Sequence, residues 1–340
     1  MNAVSRHGSR SVLIAIGGNS LIRPGEAATV AFQRTHIAET CRSIAEVVAR
    51  GWRVVLTHGN GPQVGAALLR SERAAGEVYT LPLDVCVAST QGEIGCLLQQ
   101  GLTDAFGAAD LRRPVATLLT HVVVARSDPA FEQPSKPIGP FYPRADAEAR
   151  RRAGVTMVEE PPHGYRRVVP SPEPLEIVEE GVIRTLVEAG VAVIALGGGG
   201  IPVLRRGERL EGVEAVVDKD LASALLAACL RVDVLLMSTD VDAISLDFAT
   251  PHARALTGVT VEALRGYAAA GQFPPGTMGP KVEAALRFVD AGGREAIVTS
   301  PDRLVAALDG RAGTHIVRGV RPAGRRAALA LVDTRRTRVG

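Results

Sequence analysis

Short apolar runs, each closed by glycine or a polar turn, alternate along the chain with longer stretches whose apolar positions recur at helical spacing. VLIAI (12–16) runs into Gly17-Gly18-Asn19, RVVLT (53–57) into His58-Gly59-Asn60-Gly61, and VAVIAL (191–196) into four glycines. VDVLLMST (232–239) leads to Asp240-Val241-Asp242, and REAIVTS (294–300) to a short helix and GTHIV (313–317). PVATLLT and VVVA, within 114–125, read as further strands, and the spacing predicts helices over about 31–50, 63–75 and 84–100. Runs that stay apolar are strands buried on both faces. Strands alternating with helices build βαβ units and a mainly parallel sheet, so the fold class is α/β. Ligands of such sheets bind beyond the carboxyl ends of the strands, where the glycines cluster here.

One region breaks the rhythm. Residues 128–174 are rich in Pro and Arg, as in DPAFEQPSKPIGPFYP and EEPPHGYRRVVPSPEP. A structureless loop of that length is rare, so the stretch reads as an inserted, protruding subdomain within a domain spanning residues 1–317.

Composition narrows the function. With 46% apolar and 22% charged residues, the 340-residue chain has ample material for a core. The formal charge of +3 is unevenly spread: residues 318–340 hold seven arginines and one aspartate, a formal +6, which leaves the body at −3. That body offers no basic stripe for nucleic acid, and the tail reads as a solvated C-terminal extension. Cys41, Cys86, Cys96 and Cys229 are scattered, without ligand or disulfide spacing, which suits a reducing cytoplasm. VLIAI is too short for a signal segment or a membrane span.

The lysines carry the chemistry. Only Lys136, Lys219 and Lys281 occur, against 36 arginines, in PSKPIGPF, VVDKDLAS and GTMGPKVE. A compact three-donor ammonium fits between phosphate oxygens where a planar guanidinium does not. Three such positions beside Gly-rich turns point to a site that handles phosphoryl groups. Gly17-Gly18-Asn19 and His58-Gly59-Asn60-Gly61, at successive strand ends, can present backbone N–H groups to an anion. Gly197 to Gly200 form a third such turn, whose ordering costs more entropy than a plain turn warrants. Neither G-x-x-x-x-G-K-[ST] nor G-x-G-x-x-G is present, so no P-loop or dinucleotide fingerprint is supported. Asp218-Lys219-Asp220 opens a helix: Asp220 reads as its N-cap, or the two carboxylates hold the lysine between them. Asp240 and Asp242 suit ribose hydroxyls or Mg²⁺, or simply cap a turn. Lys281, at a helix start after Met278-Gly279-Pro280, adds its charge to the positive end of the dipole and would suit β- and γ-phosphates. His58 and Tyr165 have no partner at useful spacing and receive no catalytic role.

In this order AIGGNSL, THGNGPQVG, PLDVC, QGEIG, PSKPIGPFY, YRRVVPSP, VIALGGGGIPV, GVEAVVDKDLASALLA, TDVDAI and FPPGTMGPKVEAALRFV closely resemble the carbamate kinases of the amino acid kinase superfamily. The resemblance spans residues 13 to about 317. It implies a three-layer αβα sandwich, a homodimer, no nucleic acid or membrane partner, and the reaction ATP + carbamate ⇌ ADP + carbamoyl phosphate. That reaction is often run toward ATP in arginine catabolism, with ATP/ADP and Mg²⁺ and with no protein metal ligand assigned. Lys136, Lys219 and Lys281 would stabilise the transferred phosphoryl, with Asp218 organising them. Gly17, Gly18, Asn19, Gly59, Asn60, Gly198 and Gly199 would hold carbamate and phosphate. Asp240, Val241, Asp242, Met278 and Gly279 would line the nucleotide pocket. The chain departs from the family pattern at Val87–Thr90, within VASTQG (87–92) where GAMSQG is usual, at Ser245, where Tyr is common, and in its tail. Two alternatives stand beside this reading: a kinase for another small carboxylate or carbamate-like acceptor, and a non-catalytic nucleotide or metabolite sensor.

Overall fold

Side chains along the first strand, Ser11–Ile16, alternate between two apolar cores. Leu13 and Ala15 enter one, Val12, Ile14 and Ile16 the other. The period-two geometry of a strand makes this division, and burial on both faces is why the run from Val12 to Ile16 contains no polar position. The structure, a computed structural model, describes residues 10–18, 21, 29–274 and 276–319. Asn19 and the tail beyond 319 therefore lie outside the described residues.

Eight strands form the main sheet in the order Gly258–Thr260, Thr314–Val317, Glu295–Thr299, Val234–Ser238, Ser11–Ile16, Arg53–His58, Ala192–Ile194 and Val115–Thr117. All neighbours pair in parallel except Glu295–Thr299 with Thr314–Val317. Helices Glu180–Glu188, Lys219–Leu230, Val261–Ala269 and Met278–Asp290 cover one face. Helices Val30–Ala49, Leu83–Ala108 and Leu304–Leu308 cover the other, giving the three-layer sandwich. Each fully buried leucine or isoleucine between the layers contributes roughly 1.5–3 kcal/mol. Among the described residues no helix is long and apolar enough to cross a membrane.

Two features differ from the sequence expectation. The apolar stretch 114–125 divides: Val115–Thr117 stays in the main sheet, while His121–Val123 joins a second sheet with Ile201–Arg206, Arg209–Gly212 and Glu176–Ile177. Thr120 makes the break, its hydroxyl donating to Leu118 O (3.0 Å) and accepting from Leu196 N (3.2 Å). The helix expected to end near residue 100 continues to Ala108.

Within 128–174 the chain forms a three-stranded antiparallel sheet of its own, with Lys136–Tyr142 and Met157–Glu160 flanking Gly164–Val169. Helix Arg144–Arg152 packs on it around Ala147, Met157 and Tyr165.

Candidate active site

The carboxyl ends of the Ser11–Ile16 and Val234–Ser238 strands open on one cleft of about 410 Å³, and the turn after Arg53–His58 abuts it at Gly18. Gly17, Gly18, Lys136, Asp218, Lys219, Asp220, Asp240, Val241, Met278 and Lys281 all line it. Residues far apart in the chain thus converge where a parallel sheet places its ligand.

Two aspartates arrange the lysines. Asp218 is the N-cap of helix Lys219–Leu230: its Oδ1 accepts from the N–H groups of Asp220 (2.8 Å) and Leu221 (3.4 Å). Its other oxygen, Oδ2, accepts from Lys136 Nζ at 2.5 Å. The cap is therefore Asp218 and not Asp220, which corrects the sequence expectation. Asp220 stands one residue inside the helix, and it binds Lys219 Nζ through Oδ1 at 2.8 Å and Lys281 Nζ through Oδ2 at 2.9 Å. So Asp218 bonds directly to Lys136 and acts on the other two lysines through its charge, while the hydrogen-bonded bridge between them belongs to Asp220. Flanking carboxylates do hold Lys219, but from one side only.

Burial makes these contacts strong. Lys219 and Lys281 are each 12% exposed and Asp220 is 5% exposed, whereas Lys136 is 27% exposed. Burial alone would raise the Asp220 carboxyl, but Lys219 and Lys281 outweigh it and hold the group far below the usual carboxylate range. Burial pushes the Lys219 ammonium down, helped by the like charge of Lys281 and opposed by Asp220. Burial also opposes the charge on Lys281, yet Asp220, Asp218 and Asp240 together raise it. The hydrogen-bonded set of three ammoniums and two carboxylates carries one positive charge in excess, apart from Asp240, which lines the same cleft. An incoming phosphoryl group would answer that excess.

The glycine turns divide into two kinds. Gly18 and Gly59 abut: a Cβ on Gly59 would lie 3.2 Å from Gly18 N and 3.6 Å from the Lys219 side chain. Backbone at this spot thus comes close to the cleft from both strands. Gly198 and Gly199 do not reach it. They are buried beneath, with φ of +67° and +90°, and a Cβ on either would overlap Asn60 Nδ2 (2.1 Å) or Val217 O (2.3 Å). Their lack of a side chain lets this turn support the Asn60 and Asp218 loops from below. Asn60 is itself buried, donating to Thr90 Oγ1 at 2.9 Å.

Two further expected residues sit elsewhere. Asp242 turns away from the cleft, accepting from Ser300 Oγ (2.7 Å) and pairing with Arg303 (3.2 Å). Gly279 closes the start of the Met278–Asp290 helix against Pro274, its N–H donating to Pro274 O at 3.0 Å. Among the positions that depart from the family pattern, Val87 packs into the small core with Val64, Leu83 and Ile138, and Thr90 donates to Val87 O at 2.7 Å. Neither lines the cleft, although Thr90 reaches toward it by accepting from Asn60. Ser245 does line it, with Phe248, Gln272 and Phe273, none of which spacing could nominate. Phe248 is 61% exposed at the mouth.

His58 is buried behind Gly59, its Nδ1–H donating to the Gly59 carbonyl at 3.0 Å. Burial, helped by the charge of Lys219, pushes the imidazole from its ordinary 6.5 down to about 4. A depressed value means the unfolded chain binds the proton first, so stability falls as pH drops from about 6.5 to about 4. His58 accounts for about 3 kcal/mol of that loss. Urea unfolding of wild type and His58→Gln at neutral pH and near the lower value checks this. The variant should lose markedly less stability over the window, and equal losses would place the titration elsewhere.

The amino acid kinase family matches residues 10–300, and the chain belongs to that family. It is 45% identical over 314 residues to the carbamate kinase of Thermococcus kodakarensis, covering 91% of this chain and 99% of the relative. It is also 42% identical over 312 residues to a carbamate kinase-like protein of Escherichia coli, covering 90% and 98%. Among solved structures, carbamate kinase from Giardia lamblia bound to AMP-PNP superposes with a TM-score of 0.85 at 40% identity, covering 91% and 98%.

Proposed function

We propose that this protein is a carbamate kinase, which moves the γ-phosphoryl group between ATP and carbamate. The observation that carries the reading is the buried set of three ammoniums, held by Asp218 and Asp220 on one wall of the cleft. A carbamate oxygen attacks the γ-phosphorus, the bond from phosphorus to the β,γ-bridging oxygen breaks, and ADP leaves with that oxygen. The attacking oxygen is already anionic, so no proton has to be removed and no general base is needed. What remains is positioning and neutralisation of charge, which is the main catalytic task in phosphoryl transfer. Lys136, Lys219 and Lys281 perform it, while the abutting turns at Gly18 and Gly59 bring backbone close to the carbamate and phosphate.

Asp240, Val241, Met278, Phe248 and Phe273 form the nucleotide end of the cleft. Among the described residues no group of three or more His, Cys, Asp or Glu could hold a metal ion. Mg²⁺ would arrive on the nucleotide phosphates, with Asp240 a carboxylate of the same cleft, and when bound it would supply further charge neutralisation between them. The AMP-PNP in the Giardia lamblia relative supports a nucleotide in this cleft. Residues 128–174 act as a protruding subdomain that brings Lys136 over the reacting groups. The homodimer and the direction toward ATP in arginine catabolism come with the resemblance. A cytoplasmic location agrees with four cysteines that are all free.

Incubation with ADP, Mg²⁺ and carbamoyl phosphate tests the reading. Rapid ATP formation, lost in Lys281→Ala, is the expected result. Absence of ATP from a protein that still binds ADP would transfer the reading to another small carboxylate acceptor.

A further inference from the structure

Gly65, in helix Gly61–Arg73, and Gly139, in strand Lys136–Tyr142, meet backbone to backbone. A Cβ on Gly65 would fall 2.0 Å from Gly139 Cα, 2.1 Å from Gly139 N and 3.0 Å from Ile138 C. No side chain fits there unless the strand moves, because ordinary carbon contacts need about 3.5–4.0 Å.

The strand is shaped for this approach. Ile138 pairs with Arg167 and Tyr142 with Tyr165, so Gly139, Pro140 and Phe141 together oppose the single residue Arg166. Such a bulge bends its strand and re-aims what the strand carries. Gly139 at its start has a φ of +72°, which glycine adopts without strain. The void left between helix and strand is about 10 Å³, no more than one water. Glu72, at the far end of the helix, pairs with Arg167 of the neighbouring strand at 2.5 Å. Lys136, three residues before Gly139, starts this strand and reaches Asp218 at 2.5 Å. The other end of the same helix begins at the His58-Gly59-Asn60 turn beside the cleft.

We propose that the Gly65–Gly139 contact is a positioning device. It docks the inserted sheet onto the helix that follows the phosphate-facing turn, and so fixes how far Lys136 extends over the transferred phosphoryl group. The inference rests on the proposed role of Lys136. Neither glycine touches substrate; both act through the lysine. The nucleotide end of the cleft is built from Val241, Phe273 and Met278, on other elements, and does not depend on the contact.

The test is a double-mutant cycle in the ATP-forming assay with Gly65→Ala, Lys136→Ala and the pair. Gly65→Ala is expected to lower kcat roughly 10²-fold, as a 1 Å displacement of a catalytic group does. ADP affinity should stay within about twofold of wild type, and the pair should match Lys136→Ala within the same margin. An undiminished kcat in Gly65→Ala, or a Gly65→Ala loss repeated in full on the Lys136→Ala background, overturns the inference. Should Gly65→Ala lose its cooperative melt, Glu72→Ala carries the cycle, with a kcat loss of roughly fivefold that vanishes without Lys136. A wild-type protein that forms no ATP contradicts the proposed function instead. The contact is then tested by a crystal structure of Gly65→Ala, where Lys136 should leave Asp218. A lysine unmoved there would also overturn the inference.

Discussion

Asp220→Ala is expected to cut ATP formation by roughly 10²–10³-fold and to destabilise the fold by about 3–5 kcal/mol. One carboxylate lies between two buried ammoniums, 2.8 Å from Lys219 and 2.9 Å from Lys281. Its removal leaves both cations in a site only 12% exposed, with no counter-charge between them. Lys219, already pushed down by burial, would give up its proton more readily still, and the wall would lose the charge it needs. Turnover should fall further than stability explains, because folded molecules would hold a mispositioned pair. Denaturant unfolding combined with kcat measured well inside the folded plateau separates the two losses. Wild-type turnover from the folded variant would show that Asp220 is only a structural counter-ion.

Lys219→Arg keeps the charge and should still lose roughly 10²–10³ in turnover, with ADP affinity nearly unchanged. Lys219 is the first residue of its helix, its stem passes beside the Gly59 turn and its ammonium bonds Asp220 at 2.8 Å, a placement that the longer, planar guanidinium does not reproduce. Arginine also spreads its charge and fixes its donors in one plane, so it cannot follow phosphoryl oxygens as an ammonium can. The chain uses 36 arginines elsewhere, and a site indifferent to this difference would have no use for lysine. Steady-state kinetics of the variant, with its melting temperature as a control, check the claim. Wild-type-like rates would show that the lysine reading is wrong.

Much of this architecture was legible along the chain because its signals are local. The run VLIAI must be buried on both faces, and the glycines at strand ends mark where backbone can approach a ligand. Three lysines in an arginine-rich chain pointed to phosphoryl chemistry before any geometry was known. What local pattern could not supply was the choice between neighbours. Asp218 and Asp220 fit the same cap signature; Lys281, 61 residues further on, makes Asp220 the bridge. Asp240 and Asp242 look alike in TDVD, yet Ser300, 58 residues away, draws Asp242 out of the cleft. Gly198 and Gly199 resemble a phosphate turn, and only tertiary packing shows them filled from above by Asn60 and Val217. The second sheet escaped notice because one of its strands has only two residues and another only three, too short for periodicity to register.

Binding of ADP with Mg²⁺ and aluminium fluoride, a mimic of the phosphoryl group in transit, tests the central claim most directly. That claim is that the lysine wall is complementary to the transferred group and not merely to the nucleotide. Calorimetry on wild type should show the fluoride complex bound at least about 10²-fold more tightly than ADP alone. In Lys219→Arg most of that gain should vanish while ADP alone binds as before. If the gain survives intact in the variant, the lysines do not recognise the transferred phosphoryl, and the account fails at its centre.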